Sequence, residues 1–191
     1  GSAWNRAELC LAAKPMRLAL LAKRHSMHTV RSANSLAARG HEVHLLSSVH
    51  TGEPLREEVR FHQLVFPPTL GFFLNALQLR RLLNGIRPEV LHAHFASGYG
   101  TLARLSGFYP LVLSVWGSDV YDFPTKSLVH RTIVRDNLAA ADWVCSTSNA
   151  MATQVKRIHV PENMDVVPFG IDLDKFRAAD VLQRPGGQLV I

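Results

Sequence analysis

Short apolar runs alternate along this chain with longer segments in which apolar residues recur every three or four positions. The short runs are typical of strands buried in a parallel sheet, and the longer pattern is typical of amphipathic helices. Strands and helices alternate about seven times, which predicts an α/β fold with a doubly wound, mostly parallel, Rossmann-like sheet. The predicted strands are 18–22, 43–46, 59–66, 90–95, 111–115, 142–147 and 165–167, and the predicted helices are 29–39, 72–87, 98–107, 127–140 and 150–158.

The same pattern suggests where the domains begin and end. Residues 1–14 start with Gly1-Ser2, an expression scar, and are predicted to be a tag, a leader or a short helix. Residues 15–173 are predicted to form one Rossmann-like domain. Residues 174–191 are predicted to be a charged, glycine-containing linker that leads into the first strand of a further domain. No stretch approaches the roughly 20 apolar residues of a membrane-spanning helix, so any membrane association is expected to be peripheral.

The net positive charge of the chain indicates which kinds of molecule it can bind. The formal net charge is +6, which favours anionic partners such as nucleotide phosphates, anionic lipid head groups or nucleic acid. The basic residues are scattered and are not interleaved with aromatic residues, which argues against nucleic acid. The two cysteines, Cys10 and Cys145, do not suggest a disulfide framework, so we expect a cytoplasmic location.

Unusual polar chemistry stands at the ends of two neighbouring predicted strands. The run 90–95 carries His92 and His94, which share one face about 6–7 Å apart. The run 111–115 ends abruptly at Trp116-Gly117-Ser118-Asp119. In an open parallel sheet ligands bind beyond the carboxyl ends of the strands, so His94 and the turn at Trp116, Gly117 and Asp119 are candidate binding residues.

Each of these residues has a structural alternative. His94 either bonds a hydroxyl or a phosphate of a ligand, or is a core histidine bonded to a loop, and the deeper His92 is expected to be structural. Trp116 either stacks on a ligand or closes the top of the core. Asp119 either orients a ligand hydroxyl or caps a turn.

Further candidates lie at the starts of helices. His25, Ser26, His28 and Arg31 belong to the loop and first turn that follow the first strand, and they are candidate contacts for a phosphate or another ligand group. This loop lacks the G-x-G-x-x-G fingerprint, which disfavours a standard dinucleotide site. Ser148 is expected to cap the helix that follows the strand 142–147, where a helix amino terminus can also receive an anion.

Two other function classes fit parts of this pattern. His92 and His94 could share a zinc ion if His28 or Asp119 supplied a third ligand, as in a metal-dependent hydrolase. The sequence lacks a closed ligand set, so no metal is expected. A non-enzymatic Rossmann-like binding module is the other alternative.

Five short motifs follow one another along residues 16–176. They are Asn34-x-Leu36-Ala37-x-x-Gly40-His41-Glu42-Val43, Pro88-Glu89-Val90-x-His92-Ala93-His94, Ser114-x-Trp116-Gly117-Ser118-Asp119, Ala141-Asp142-x-Val144-x-x-x-Ser148 and Val166-Val167-Pro168-Phe169-Gly170-Ile171-Asp172-x-x-x-Phe176. In this order they resemble the amino-terminal half of glycosyltransferase family 4. The chain departs from many members in the loop 23–28, which lacks glycines, at Trp116 in place of a histidine, and at Phe169 in place of an asparagine.

The resemblance implies one lobe of a GT-B fold and a retaining transfer from a nucleotide-sugar donor to a glycan or lipid-linked acceptor. In that family the amino-terminal domain mainly holds the acceptor, and the carboxyl-terminal domain holds the donor and a pair of glutamates. No such pair follows Phe176, so the resemblance implies a missing donor domain that carries the catalytic glutamate, and an inactive fragment. It implies no cofactor in this domain, with the nucleotide sugar acting as substrate.

With such substrates, His94 would bond a sugar hydroxyl or the donor phosphate, Trp116 would stack on a sugar or an apolar acceptor, and Asp119 would orient an acceptor hydroxyl. His28 and Arg31 would contact the phosphate or the acceptor. The basic surface would suit an anionic membrane, such as the inner face of the plasma membrane.

Overall fold

The computed structural model describes residues 14–170, which form a seven-stranded sheet with helices on both faces. The strand order is β3-β2-β1-β4-β5-β6-β7, and every neighbouring pair is parallel. The predicted doubly wound α/β fold is therefore confirmed. The strands are β1 Arg17–Leu21, β2 Glu42–Ser47, β3 Val59–Gln63, β4 Val90–His94, β5 Leu111–Ser114, β6 Trp143–Ser146 and β7 Met164–Val166. The helices are α1 Met27–Ala38, α2 Gly71–Leu74, α3 Ala76–Ile86, α4 Gly98–Ser106, α5 Ser118–Tyr121, α6 Leu128–Ala139 and α7 Asn149–Ile158, with a 3-10 turn at Phe123–Thr125.

Two hydrophobic cores hold the layers together. The smaller core joins β1, β2 and β3 to α1, where Ala33 and Ala37 let the helix approach the sheet closely. The larger core joins the central strands to α3, α4, α6 and α7 through side chains such as Leu83, Leu102 and Val155. Both sets are nearly inaccessible to water, as expected for parallel strands that lie between two layers of helices.

The segment between β3 and β4 differs from its prediction. The expected strand 59–66 ends at Gln63, and the expected helix 72–87 is interrupted at Asn75. The buried Asn75 side chain accepts a hydrogen bond from the Phe66 N–H and donates one to the Phe66 carbonyl. These bonds replace strand pairing with β2, so the chain turns away from the sheet into α2 and α3.

The strand order places a crevice between β1 and β4. The chain leaves β1 towards β2 and β3 on one side, while β4 leads towards β5, β6 and β7 on the other. Ligands of doubly wound folds bind at such a reversal, outside the carboxyl ends of the strands. The loop after β1, the end of β4 at His94 and the end of β5 therefore share one edge.

None of the helices in the described part of the chain is both long and apolar enough to cross a bilayer. The predictions for residues 1–13 and 171–191, including the leader, the linker and the final strand, lie outside the described residues.

Candidate functional site

The ends of β4 and β5 carry a cluster of aromatic rings. His94 pairs with Ser114 in the sheet register, so the chain beyond each strand meets its neighbour at the same height. The ring centroids of His94 and Trp116 lie 4.7 Å apart, and those of Phe95 and Trp116 lie 4.8 Å apart. The structure thus brings together the two residues that the sequence marked at adjacent strand ends.

Two further rings join this cluster from other elements. His28, in the first turn of α1, lies 5.7 Å from Trp116 and stacks on Phe169 at 4.0 Å with nearly parallel planes. Phe169 also meets Trp116 edge-on at 5.2 Å. Arg31, one turn further along α1, donates a hydrogen bond to the Gly170 carbonyl at 2.7 Å. The segment after β7 therefore closes one side of the cluster.

Asp119 holds the turn that positions Trp116. One carboxylate oxygen accepts hydrogen bonds from the N–H groups of Trp116 and Gly117, at 3.0 and 2.8 Å. The other oxygen accepts from the Ala96 N–H at 2.7 Å, which ties the turn after β5 to the turn after β4. Burial raises the pKa of Asp119, and these backbone donors act against that rise. Of the two predicted roles, the geometry matches turn capping, because both oxygens are already engaged by backbone.

Gly117 has a conformational reason to be glycine. Its φ of 124° lies in a region that side-chain-bearing residues rarely adopt. Phe95, directly after His94, also has a positive φ, 73°, although it is not a glycine. For a residue other than glycine such a φ costs about 1–3 kcal/mol, and strain of this kind is concentrated at functional sites. The strain here lies at Phe95, whereas at the end of β5 Gly117 adopts its positive φ without strain.

The two histidines of β4 are held in their neutral form. Burial lowers the pKa of His94 well below its ordinary value, and the neighbouring His92 lowers it further. Burial also lowers the pKa of His92, to about 4. The prediction that His92 lies deeper than His94 is wrong, because His94 is 2% exposed whereas His92 is only partly buried. His92 bonds the Ser114 hydroxyl at 2.8 Å. The His94 Nδ1 lies 3.5 Å from the Thr29 hydroxyl. A neutral imidazole has one donor and one acceptor nitrogen, so His94 can exchange hydrogen bonds with a hydroxyl group at neutral pH.

The remaining candidates lie at helix starts around the same edge. His25 is exposed on the loop after β1, and Ser26 is the N-cap residue of α1, although its side chain makes no capping bond. Ser148 caps α7, because its hydroxyl accepts a hydrogen bond from the Met151 N–H at 3.2 Å. The capping role expected for Ser148 is confirmed. Whether His25, Ser26 or Ser148 contacts a substrate stays a prediction.

A shared metal site does not form from the His92–His94 pair in residues 14–170. The ring centroids lie 4.7 Å apart, but no group of three potential ligands comes together in this part of the chain. The carboxylate of Asp119, one of the two proposed third ligands, is engaged by backbone N–H groups. His28, the other, stacks on Phe169.

Sequence reasoning missed four members of this site, namely Lys23, Thr29, Phe95 and Phe169. Phe95 follows His94 directly, so its place at a strand end was the available signal. Phe169 was noticed only as a departure from the family pattern. The Lys23 ammonium lies over the Phe95 ring, 5.1 Å from its centroid, a contact between loops that sequence spacing does not reveal.

Comparisons with known proteins agree with the fold of this chain. The model of the family described as Glycosyl transferase 4-like matches residues 17–148, more than half of the chain. Sucrose-phosphate synthase from Thermosynechococcus elongatus is similar over 84% of this chain and 50% of its own, with 14% identity and a TM-score of 0.63. A glycosyltransferase from Rickettsia africae ESF-5 is similar over 85% of this chain and 45% of its own, with 13% identity and a TM-score of 0.57. Glycyrrhiza uralensis UGT73P12, complexed with glycyrrhetinic acid 3-O-monoglucuronide, is similar over 81% of this chain and 49% of its own, with 11% identity and a TM-score of 0.53.

This chain spans about half the length of these structures. At such low identities the likeness establishes the fold, and the described residues form one Rossmann-like lobe of the GT-B fold. A comparison with curated proteins found no match. The family match runs from β1 to the Ser148 cap and includes every residue of the predicted site. On that match, the chain belongs to the glycosyl transferase 4-like family.

Proposed function

We propose that this chain is the acceptor-side half of a retaining glycosyltransferase that uses a nucleotide-sugar donor. The observation that carries the proposal is the aromatic cluster of His28, His94 and Trp116 at the crevice between β1 and β4. Sugars present apolar C–H faces together with hydroxyl groups, and the cluster offers ring faces beside a neutral imidazole. The acceptor would be a glycan or a lipid-linked sugar.

Each residue of the cluster has a role in this proposal. Trp116 stacks on a sugar ring, and His94 exchanges a hydrogen bond with the hydroxyl that receives the transferred sugar. His28 and Arg31, together with the N–H groups of the first turn of α1, which the Ser26 side chain does not cap, stabilise the charge that develops on the leaving phosphate. Asp119 acts as a positioning residue, because it fixes the Trp116 turn through backbone hydrogen bonds.

The donor side would come from residues beyond 173. In this proposal a second α/β lobe binds the nucleotide and supplies the catalytic glutamate, and closure of the two lobes excludes water from the sugar. The chain of 191 residues alone therefore does not transfer sugar. We further propose that the protein works in the cytoplasm, where its positive charge favours the anionic inner face of the plasma membrane.

A turnover assay tests the proposal. The full-length gene product and the 191-residue chain are each incubated with a panel of nucleotide sugars, and release of nucleoside diphosphate is followed. We expect the full-length protein to turn over one donor when an acceptor is present and the 191-residue chain to show no turnover. Normal turnover by the 191-residue chain would contradict the proposal that a second lobe binds the donor and supplies the catalytic glutamate. Absence of turnover by the full-length protein with every donor and acceptor pair would contradict the activity itself.

A further inference from the structure

An apolar groove of about 430 Å³ opens beside the aromatic cluster. Its volume falls within the range of small-molecule binding pockets, and its walls come from α2, the start of α4, the 3-10 turn and the first half of α6. The apolar side chains that line it are Phe72, Phe73, Phe95, Phe123, Val129 and Ile133.

One wall of the groove is fixed by close packing. The Phe72 ring meets Tyr99 edge-on at 5.3 Å, and Tyr99 is fully buried and bonded to the Ser48 hydroxyl. A Cβ atom placed on Gly98 would come within 2.3 Å of the Phe72 ring, so the ring lies directly against the glycine backbone. The wall is therefore formed before any ligand arrives, and Gly98 is the residue that leaves room for it.

The rim of the groove is unusually apolar for a surface. Phe73 and Val129 line the groove with 55% and 66% of their surface exposed, and the neighbouring Leu70, Leu74 and Leu128 are also exposed. Large apolar side chains that cluster in water around one concavity indicate an interaction site. The segments that supply them, 64–81 and 123–135, contain no acidic residue, although Asp122 and Asp136 directly flank the second. Of their charged side chains, Arg135 pairs with Asp136 and Arg80 bonds the Ser106 carbonyl, and the others are Arg81, Lys126 and Arg131.

A cation is among the residues that line the groove, and it lies beside the cluster. Lys23 lines the groove and lies over the Phe95 ring at 5.1 Å, and Phe95 in turn contacts Trp116 at 4.8 Å. Apolar surface, a positive charge and the aromatic cluster thus adjoin one another at Phe95. This combination matches a molecule that has an apolar tail, a phosphate and a sugar head.

We infer that the groove binds the hydrocarbon chain of a lipid-linked phosphate acceptor that is presented by an anionic membrane. The inference rests on the proposed function and names its acceptor class. The phosphate lies at Lys23, and the group that receives the sugar reaches His94 and Trp116. Lys126, whose ammonium lies over the Phe123 ring of the groove wall at 5.7 Å, faces the lipid head groups, where a basic residue adds attraction.

Calorimetric titration of the 191-residue chain tests the groove, with geranyl phosphate, farnesyl phosphate and inorganic phosphate as probes. Each additional methylene that is buried raises the affinity about fourfold. Farnesyl phosphate has one more isoprene unit than geranyl phosphate, so it should bind at least about tenfold more tightly. Inorganic phosphate should bind weakly or not at all. Equal affinity for the three probes would overturn the inference, because the hydrocarbon chain would then contribute nothing.

Two matched substitutions locate the binding. Val129→Asp puts a charge into the groove at the start of α6, where an acidic residue does not harm the helix. Val160→Asp makes the same change at a valine that is 68% exposed, close to the 66% of Val129, and that follows α7 outside the groove. Val129→Asp should weaken farnesyl phosphate binding by at least about tenfold, and Val160→Asp should leave it unchanged. Equal binding by the two variants would overturn the inference.

The same variants separate this inference from the proposed function. In the full-length protein, Val129→Asp should keep transfer to a water-soluble sugar acceptor and lose transfer to a farnesyl-phosphate-linked acceptor. Equal transfer to both acceptors would contradict the groove and leave the glycosyltransferase proposal intact. Absence of any transfer by the wild-type protein, with farnesyl phosphate still bound, would contradict the proposed function instead.

Discussion

The His94 imidazole and the Trp116 indole lie 4.7 Å apart, with their planes inclined by 39°. They come from different strands, and their contact depends on the turn after β5 being held against the turn after β4. Asp119 provides that link through its bonds to the Ala96 and Trp116 N–H groups. A buried carboxylate thus determines the distance between the two side chains that we place at the substrate.

The first prediction concerns this carboxylate. Asp119→Asn replaces one acceptor oxygen by an NH₂ group. This group cannot accept a hydrogen bond, so it faces a backbone N–H that has lost its acceptor. We expect the free energy of unfolding to fall by about 2–4 kcal/mol. Chemical denaturation measures the change, with Asp122→Asn as the control, because Asp122 is exposed in the same segment. Equal stability of the two variants would show that the Asp119 bonds do not hold the turn.

The second prediction compares two glycines. Gly117→Ala adds a Cβ that has room, since its nearest neighbour is Met151 Cε at 3.8 Å, but it must adopt a φ of 124°. We expect a loss of about 1–2 kcal/mol from backbone strain alone. Gly85→Ala, at an exposed and uncrowded position inside α3, should instead stabilise the protein by about 0.5–1 kcal/mol. The midpoint temperatures of thermal unfolding should shift in opposite directions, and a shift in the same direction would contradict the conclusion that the backbone at position 117 requires glycine.

The third prediction is a pH dependence that arises from the neutral histidines. Burial lowers the pKa of His92 from an ordinary 6.5 to about 4, so between these values the unfolded chain binds a proton that the folded chain does not. Stability should therefore fall as the pH drops from about 6.5 towards 4. At pH 4.5 the loss should be about 2 kcal/mol for this residue.

Denaturation at pH 7 and pH 4.5 measures the His92 contribution. His92→Asn should remove about 2 kcal/mol of the acid sensitivity, and His25→Asn, a change at an exposed histidine, serves as the control. The same acid sensitivity in wild type and His92→Asn would show that His92 is not held neutral by burial.

The layer order and the strand ends could be predicted from the sequence because they depend on local periodicity. Continuous apolar runs identified the strands, and the period of the intervening segments identified the helices, so His94 and Trp116 were placed at neighbouring strand ends. The break at Asn75 was not predictable in this way, because a polar residue on a helix gives no sign that it will bond a backbone nine positions earlier. Tertiary hydrogen bonding prevailed there over helical periodicity.

The sequence predicted where the site residues lie in the sheet, but it did not predict which side chains contact them. The expected candidates lie along one edge, yet the partners that organise them come from distant loops, such as Phe169 on His28 and Lys23 on Phe95. The apolar groove was missed for a related reason. Its lining residues are spread from α2 to α6, and each of them alone resembles an ordinary core residue.

The most direct test of the account compares Trp116→Ala with Trp143→Ala in the full-length protein. Trp143 lies at the start of β6, away from the cluster, and donates a hydrogen bond to Asp165. We measure kcat/KM for sugar transfer and confirm by circular dichroism that both variants fold. The account predicts a loss of at least about 100-fold, or about 2.7 kcal/mol, for Trp116→Ala and a change of less than about threefold for Trp143→Ala. Full activity in folded Trp116→Ala would contradict the claim that sugar transfer occurs at this edge of the sheet.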